Sequence, residues 1–266
     1  MAYGKWRGKW ALVTGSSAGI GVDFAKELAA AGVNLVLTAR RLDRLEALAK
    51  ELKDANGVDV RVVSSDLGTP EGTGTIVSML EAEGLTIDIL VNNAGFGITG
   101  EFHDMDPQKS LGMIQVNIAS LVALTHALLP GMIERKSGNI ILVGSVNAFM
   151  STGHFAVYSA TKAFVRSFGE GLSAECRGTG VDITNVHPGG TATEFVEVAG
   201  QKKMSEFILS QLMTSRAVAR IGLRSAHAGR VSVVTGLMNK MTVFALWLMP
   251  GFLVRWGSTA FFSRLH

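Results

Sequence analysis

At 266 residues the chain can bury a full hydrophobic core, as one large α/β domain or two small ones. Hydrophobic residues make up 47% and charged residues 18%, and the mean hydropathy of +0.30 is high for a water-soluble chain yet short of a membrane protein's. The net charge is only +3, and Lys and Arg are scattered without a basic run or interleaved aromatics, which argues against nucleic acid as a partner. The one cysteine, Cys176, rules out an internal disulfide framework and fits a reducing, cytoplasmic setting; it falls on a predicted helix with no base beside it and reads as structural. The opening MAYGKWRGKWALVTG lacks the sustained apolar stretch of a signal peptide, and Tyr3 within it reads as part of a frayed terminus.

Strand and helix patterns then alternate. WALVTG is a short apolar run that stops at glycine, and IGVDFAKELAAAG follows with helical spacing and a closing Gly32. VNLVLTAR shows no polar alternation until its end, as a strand covered on both faces requires. RLDRLEALAKELKDANG is an amphipathic helix with Glu46 four residues before Lys50. DVRVVSSDL and IDILVNNAG read as third and fourth strands, and a long helix is expected over roughly Pro107 to Arg135. NIILVGS, a helix from about Ala156 to Arg177, and the strand VDITNVHPGG complete the run. Such alternation implies βαβ units. The expected fold class is α/β: a single doubly wound Rossmann-type domain over residues 1–266, with a parallel sheet of about seven strands and helices on both faces.

After Gly190 the rhythm lapses. Residues 191–214 look helical, mixed in polarity, and are a candidate lid over the site. RAVARIGLRSAHAG predicts a helix and RVSVVTG a last strand. The tail, residues 239–266, is strongly apolar, but its apolar stretches fall short of the roughly 20 residues of a bilayer span, and Pro250-Gly251 breaks it. Two readings stay open for it: packing on the body or on a partner subunit, and peripheral contact with a membrane surface.

TGSSAGIG, Thr14 to Gly21, follows the first strand and opens the first helix, whose free N–H groups and positive dipole end suit a pyrophosphate. Gly15 permits the tight turn, Gly19 lets backbone approach the phosphates, and Gly21 lets helix and strand pack closely. Ser17 and Ile20 lie in the same loop. The residues also satisfy G-x-S-x-G, the nucleophile elbow of a serine hydrolase, with Ser17 as nucleophile. That elbow needs an oxyanion loop from an earlier strand, and here about one short strand precedes Ser17 while Gly21 would have no purpose. The second strand ends TARR. A carboxylate there would bind the ribose hydroxyls of NAD; arginine instead pairs with the 2′-phosphate of NADP. Arg40 is read as that residue, and Arg41 as the solvated start of the next helix.

YSATK, Tyr158 to Lys162, places the one interior tyrosine a helical turn before a lysine, on one face. Ser145 lies thirteen residues upstream, Asn117 sits in the long helix, and NNAG and PGGTAT follow the fourth and sixth strands. Together with the glycine loop these motifs resemble the TGxxxGxG, NNAG, YxxxK and PGxxxT segments of the short-chain dehydrogenase/reductase family, over about residues 8 to 195. The resemblance implies catalytic roles for Asn117, Ser145, Tyr158 and Lys162, with a water held at Asn117 linking Lys162 to solvent. It implies cofactor contacts from Gly15, Ser17, Gly19, Ile20, Gly21, Arg40, Asn93, Ala94, Gly95, Tyr158 and Lys162. Asp66 and Leu67 would meet the adenine, and Pro188, Gly189, Thr191 and Thr193 the nicotinamide. It further implies a homodimer or homotetramer, partly through the helices carrying Asn117 and Tyr158.

Two departures from the family matter. Ala18 stands where many NADP-preferring members carry a basic residue, which leaves Arg40 to select NADP over NAD. The C-terminus lacks the acidic-glycine ending of fatty-acid-synthesis reductases and looks more like a branch associated with acyl-CoA, steroid or other lipophilic carbonyls.

A phenol with a pKa of about 10 is a poor proton shuttle at neutral pH, and an ammonium beside it favours the phenolate. Lys162 is expected to lower Tyr158 in this way, and the Ser145 hydroxyl to hold the carbonyl oxygen. The sequence therefore reads as an NADP(H)-dependent oxidoreductase interconverting a small-molecule carbonyl and a secondary alcohol, on a lipophilic substrate. The alternative is an NADP-binding sensor or scaffold without turnover. No histidine has metal-site spacing, and no metal is expected. His187 is expected to pack at a strand end, and His154 is a candidate to face substrate. Phe96, Phe102, Phe149, Met150, Phe155 and Phe195 are candidate pocket walls.

Overall fold

A computed structural model describes residues 3–192, 194 and 212–263, with side chains to residue 260. The strands are β1 (Trp10–Thr14), β2 (Asn34–Ala39), β3 (Val60–Ser64), β4 (Ile89–Asn92), β5 (Gly138–Val143), β6 (Val181–His187), β7 (Thr191–Ala192), β8 (Met213–Thr214) and β9 (Ser232–Val234). The helices are α1 (Gly19–Ala30), α2 (Leu42–Asn56), α3 (Glu71–Ala82), α4 (Pro107–Ile114), α5 (Ser120–Glu134), α6 (Ala156–Glu175), α7 (Ser215–His227), α8 (Leu237–Leu248) and α9 (Gly251–Ser263).

Seven strands form one parallel sheet in the order β3-β2-β1-β4-β5-β6-β9. Alternate residues of each strand feed opposite layers, because side chains switch faces at every step. Ala11, Val13, Leu35 and Leu37 meet Phe24, Leu28, Leu45 and Leu223 on one side. Leu12, Val36, Leu90 and Ile140 meet Ile76, Leu124 and Val165 on the other. Strands covered on both faces explain why VNLVLTAR carries no polar alternation.

Strand order reverses between β1 and β4, so the turns leaving their carboxyl ends diverge and open a crevice. That crevice is where ligands of doubly wound sheets bind.

Three details depart from the sequence reading. Tyr3 is buried: its ring stacks on Trp6 with centroids 5.5 Å apart, and its hydroxyl donates to the Arg220 carbonyl at 3.4 Å. The helix expected over Pro107 to Arg135 is interrupted at Gln115–Ala119 by a π-helical turn. The ends of the segment expected to be helical, residues 191–214, are the short parallel strands β7 and β8, while residues 193 and 195–211 of the proposed lid, Thr193 and Phe195 among them, lie outside the described residues. Cys176, by contrast, agrees with its structural reading: it caps the end of α6 and is buried, and burial with nearby Glu175 raises its thiol pKa.

Candidate active site

The glycine loop joins β1 to α1 under tight steric control. Gly15 has φ +66°, and a Cβ on it would lie 2.9 Å from the Ala94 Cα. A Cβ on Gly21 would run into the Gly15 carbonyl. Thr14 ties the loop to the segment after β4: its hydroxyl accepts from the main-chain N–H groups of Asn93 and Ala94, each at 2.9 Å. The Asn93 side chain returns the bond, donating to the Thr14 carbonyl at 2.9 Å. These bonds hold two turns from distant parts of the sequence as one wall. At the start of α1, Gly19 and Ile20 line the cavity, and the N-cap Ala18 makes no side-chain cap, so orphan N–H groups of the first turn are left to bind an anion.

The cavity has a volume of about 1270 Å³ and runs from this loop past Asp66 and Leu67 to the carboxyl ends of β5 and β6. Asn93, Ala94, Gly95, Pro188, Gly189 and Thr191 also border it.

Three side chains meet beyond the loop. Ser145 follows β5, has extended backbone, and caps a short turn; its hydroxyl accepts from the Asn147 N–H at 3.2 Å. Tyr158 and Lys162 share one face of α6, as their spacing predicts, and both are buried. Burial pushes the Tyr158 phenol up to about 12, and a hydrogen bond with the Ser145 side chain opposes that rise. Burial pulls the Lys162 ammonium down to about 8. Lys162 Nζ donates to the Val143 carbonyl at 2.9 Å and lies 5.7 Å from the centroid of the Tyr158 ring.

The expected lowering of Tyr158 by Lys162 is not seen, and the two values give the reason. Lys162 has lost its proton near 8, so it is neutral over the range in which the phenol titrates and offers no charge to it.

Asn117 lies in the π turn and is buried. Its Oδ1 accepts from the Phe96 N–H at 3.0 Å, and its Nδ2 donates to the Phe96 carbonyl and the Thr161 hydroxyl, each at 3.0 Å. The side chain therefore clamps the loop after β4 onto α6 beside Lys162, with both amide protons used. π turns inside α-helices recur at functional positions.

Both arginines border the cavity, and Arg41 makes contacts beyond those the sequence reading gave it. Arg41, expected to be a solvated helix residue, turns back from the α2 N-cap position to the glycine loop. Its Nε and Nη2 each donate to the Ser17 hydroxyl at 3.2 Å. A guanidinium is a donor only and cannot act as a base, which removes the nucleophile reading of Ser17. Arg40 is exposed, borders the same cavity, and leaves its guanidinium unpaired among the described residues. The doublet TARR was the available signal for Arg41; which arginine faces the loop depends on how α2 begins.

Among the candidate walls, Phe96, Met150 and Phe155 line the cavity, whereas Phe102 is 67% exposed and Phe149 packs edge-on against His187 at 4.9 Å. His187 is buried at the end of β6, and burial together with Arg166 lowers it to about 4. His154 lies 3.3 Å from a Glu101 carboxylate oxygen and is not among the cavity-lining residues. Among the described residues no group of His, Cys, Asp or Glu is placed to hold a metal ion.

A family model described as short chain dehydrogenase matches residues 9–204. The chain belongs to the short chain dehydrogenase family. A very-long-chain 3-oxoacyl-CoA reductase of Anas platyrhynchos is 35% identical over 234 residues, which are 86% of this chain and 73% of that protein. Its human namesake is 34% identical over 226 residues, 84% of this chain and 71% of that protein. A short-chain dehydrogenase from Sphingobium yanoikuyae in complex with NADPH superposes with a TM-score of 0.81 at 31% identity, covering 90% of this chain and 92% of that one. A structure described for 7beta-hydroxysteroid dehydrogenase stereoselectivity superposes at TM-score 0.83 and 27% identity, covering 92% and 93%. Family membership makes the chain an oxidoreductase of the short-chain type, and the NADPH-bound neighbour supports a nicotinamide cofactor.

Proposed function

We propose that this short-chain dehydrogenase is an NADP(H)-dependent carbonyl reductase, reversible as an alcohol dehydrogenase, acting on a lipophilic ketone. The observation that carries the reading is the convergence of Ser145, Tyr158 and Lys162 in one cavity with the glycine loop. The cradle fits a dinucleotide: Gly15 and Gly21 leave no room for a Cβ, α1 presents unpaired N–H groups, and Arg41 stands at the loop as a donor for a phosphate. NADPH, when bound, supplies the hydride.

The remaining chemistry belongs to the chain. Tyr158, neutral well past physiological pH, carries a proton it can give to the substrate carbonyl oxygen. Ser145, hydrogen-bonded to Tyr158, holds that oxygen while charge develops on it. Lys162 is charged below about 8 and stabilises the phenolate left behind. Asn117 fixes the loop and α6 beside Lys162 and is the proposed station of the water that links the lysine to solvent.

Several observations support a lipophilic substrate and a membrane surface as partner. Met150, Phe155, Leu246, Met249 and Leu253 line the substrate end of the cavity. α8 and α9 cover that end on one side and turn apolar residues outward on the other, with Trp247 80% and Trp256 75% exposed. No Asp or Glu follows Glu206, while Lys240 and Arg255 lie on these helices, which suits an anionic lipid surface. The very-long-chain 3-oxoacyl-CoA reductases among the relatives agree with 3-oxoacyl thioesters as the first substrates to try. Exposed Ile133 on α5 and Phe164 on α6 support self-association through those helices.

NADPH oxidation with a panel of ketones, aldehydes and 3-oxoacyl thioesters tests the reading: turnover of an apolar ketone is expected. Tight NADPH binding without turnover across the panel would favour the sensor reading instead. Co-sedimentation with anionic liposomes, with and without residues 239–266, tests the surface.

A further inference from the structure

At the loop end of the cavity a carboxylate sits on the arginines. Glu194 Oε2 accepts from Arg41 Nη1 at 3.1 Å, and Glu194 Oε1 accepts from Arg44 Nη1 at 2.7 Å. Arg41 is thus split between two duties: Nε and Nη2 grip Ser17 of the glycine loop, and Nη1 grips Glu194. Arg41 and Glu194 both line the cavity, two residues after β7 in the case of Glu194. Arg44 lies one helical turn along α2 from Arg41, so both guanidinium groups reach one anion. The bonds to Arg44 and Arg41 hold the Glu194 carboxyl below its ordinary pKa, so it is charged throughout the neutral range.

Two guanidinium groups converging on one acid group, beside a serine hydroxyl of the glycine loop, are the donor set that recognises a phosphomonoester. Here a side chain of the same chain sits on both arginines. We propose that Glu194 is an internal competitor for the 2′-phosphate of NADP(H), holding Arg41 and Arg44 until the phosphate displaces it, and thereby sets how strongly the chain prefers NADPH over NADH. The inference rests on the NADP reading of the site. It assigns a specificity role to Arg44 and Glu194, neither of which lies in a sequence motif. All three side chains are 41–46% exposed, so each ion pair is solvated and the competition is modest.

Glu194→Gln keeps the size and removes the charge. Titration calorimetry of wild type, Glu194→Gln and Arg41→Ala with NADPH and with NADH tests the proposal. Glu194→Gln is expected to bind NADPH about three- to tenfold more tightly and NADH unchanged. Arg41→Ala is expected to weaken NADPH selectively. If wild type prefers NADPH and Arg41→Ala loses that preference, yet Glu194→Gln leaves NADPH affinity equal or weaker, the competitor role is overturned and the NADP reading stands. If wild type binds both cofactors alike and Arg41→Ala changes neither, the NADP reading fails and takes the competitor with it.

Discussion

At the cofactor end of the cavity, a threonine hydroxyl, an asparagine amide and two glycines without room for a Cβ lock the β1–α1 turn against the loop after β4. At the substrate end, α8 and α9 form a roof whose inner side chains face the cavity and whose outer ones face away from the protein. The first region is held by directional bonds between side chains and partly buried backbone groups, which tolerate almost no change in shape. The second is held by apolar contact, which accepts many side chains of similar volume. The contrast matches the division of labour expected of an oxidoreductase of this family: a nicotinamide dinucleotide is the common ligand, while the substrate varies.

Substitutions should therefore separate the two regions. The largest effect is expected from Lys162→Met, which should cut turnover by about 10²- to 10⁴-fold. In wild type the charged lysine is present below about 8 and lost as pH rises through that value, so kcat/KM for reduction should fall above about pH 8. A profile flat to pH 10 would show that the charge of Lys162 is not used.

His187 tests the end of β6, which leads into the Pro188–Gly189 border of the cavity. Its folded-state value of about 4 lies below its ordinary 6.5, so the unfolded chain binds its proton first on acidification. Stability contributed by the neutral ring is complete above about pH 6.5 and is lost as pH falls towards 4, to the extent of about 3 kcal/mol. Thermal melts across that range should show the loss, and His187→Asn should flatten it.

Gly21→Ala attacks the cofactor end sterically. It should cost about 1–3 kcal/mol and abolish NADPH binding, read by melting temperature and by titration. Retained affinity would mean that the turn relaxes more freely than its packing indicates. The smallest effect on the folded protein is expected from Trp247→Ser with Trp256→Ser, within about 0.5 kcal/mol because both side chains are exposed. The same pair should weaken co-sedimentation with anionic liposomes and leave NADPH affinity unchanged. Equal loss of both would show that the two regions are coupled.

The cofactor end was the more legible in sequence because its determinants are short-range. TGSSAGIG, NNAG and YSATK each act within one turn of chain, and the strand–helix alternation that positions them shows directly in the hydrophobic pattern. What escaped was long-range or below pattern length. Tyr3 bonds a residue 217 positions away, which no local pattern can show. β7 and β8 have two residues each, too few for alternation to register. The π turn at Asn117 is hidden because a continuous apolar helix and one with an extra residue in a single turn share nearly the same periodicity. The choice between Arg40 and Arg41 follows from the first turn of α2, and the clamp made by Asn117 from the meeting of three elements.

The most direct measurement is NADPH-dependent reduction of the best ketone by wild type and by Tyr158→Phe, with NADPH affinity determined for both. The variant keeps the ring that packs against Phe155 and loses only the hydroxyl that shares a bond with Ser145. The account predicts unchanged NADPH affinity and a loss of turnover of about 10²-fold or more. Turnover within a fewfold of wild type would contradict it, since the proton would then come from elsewhere.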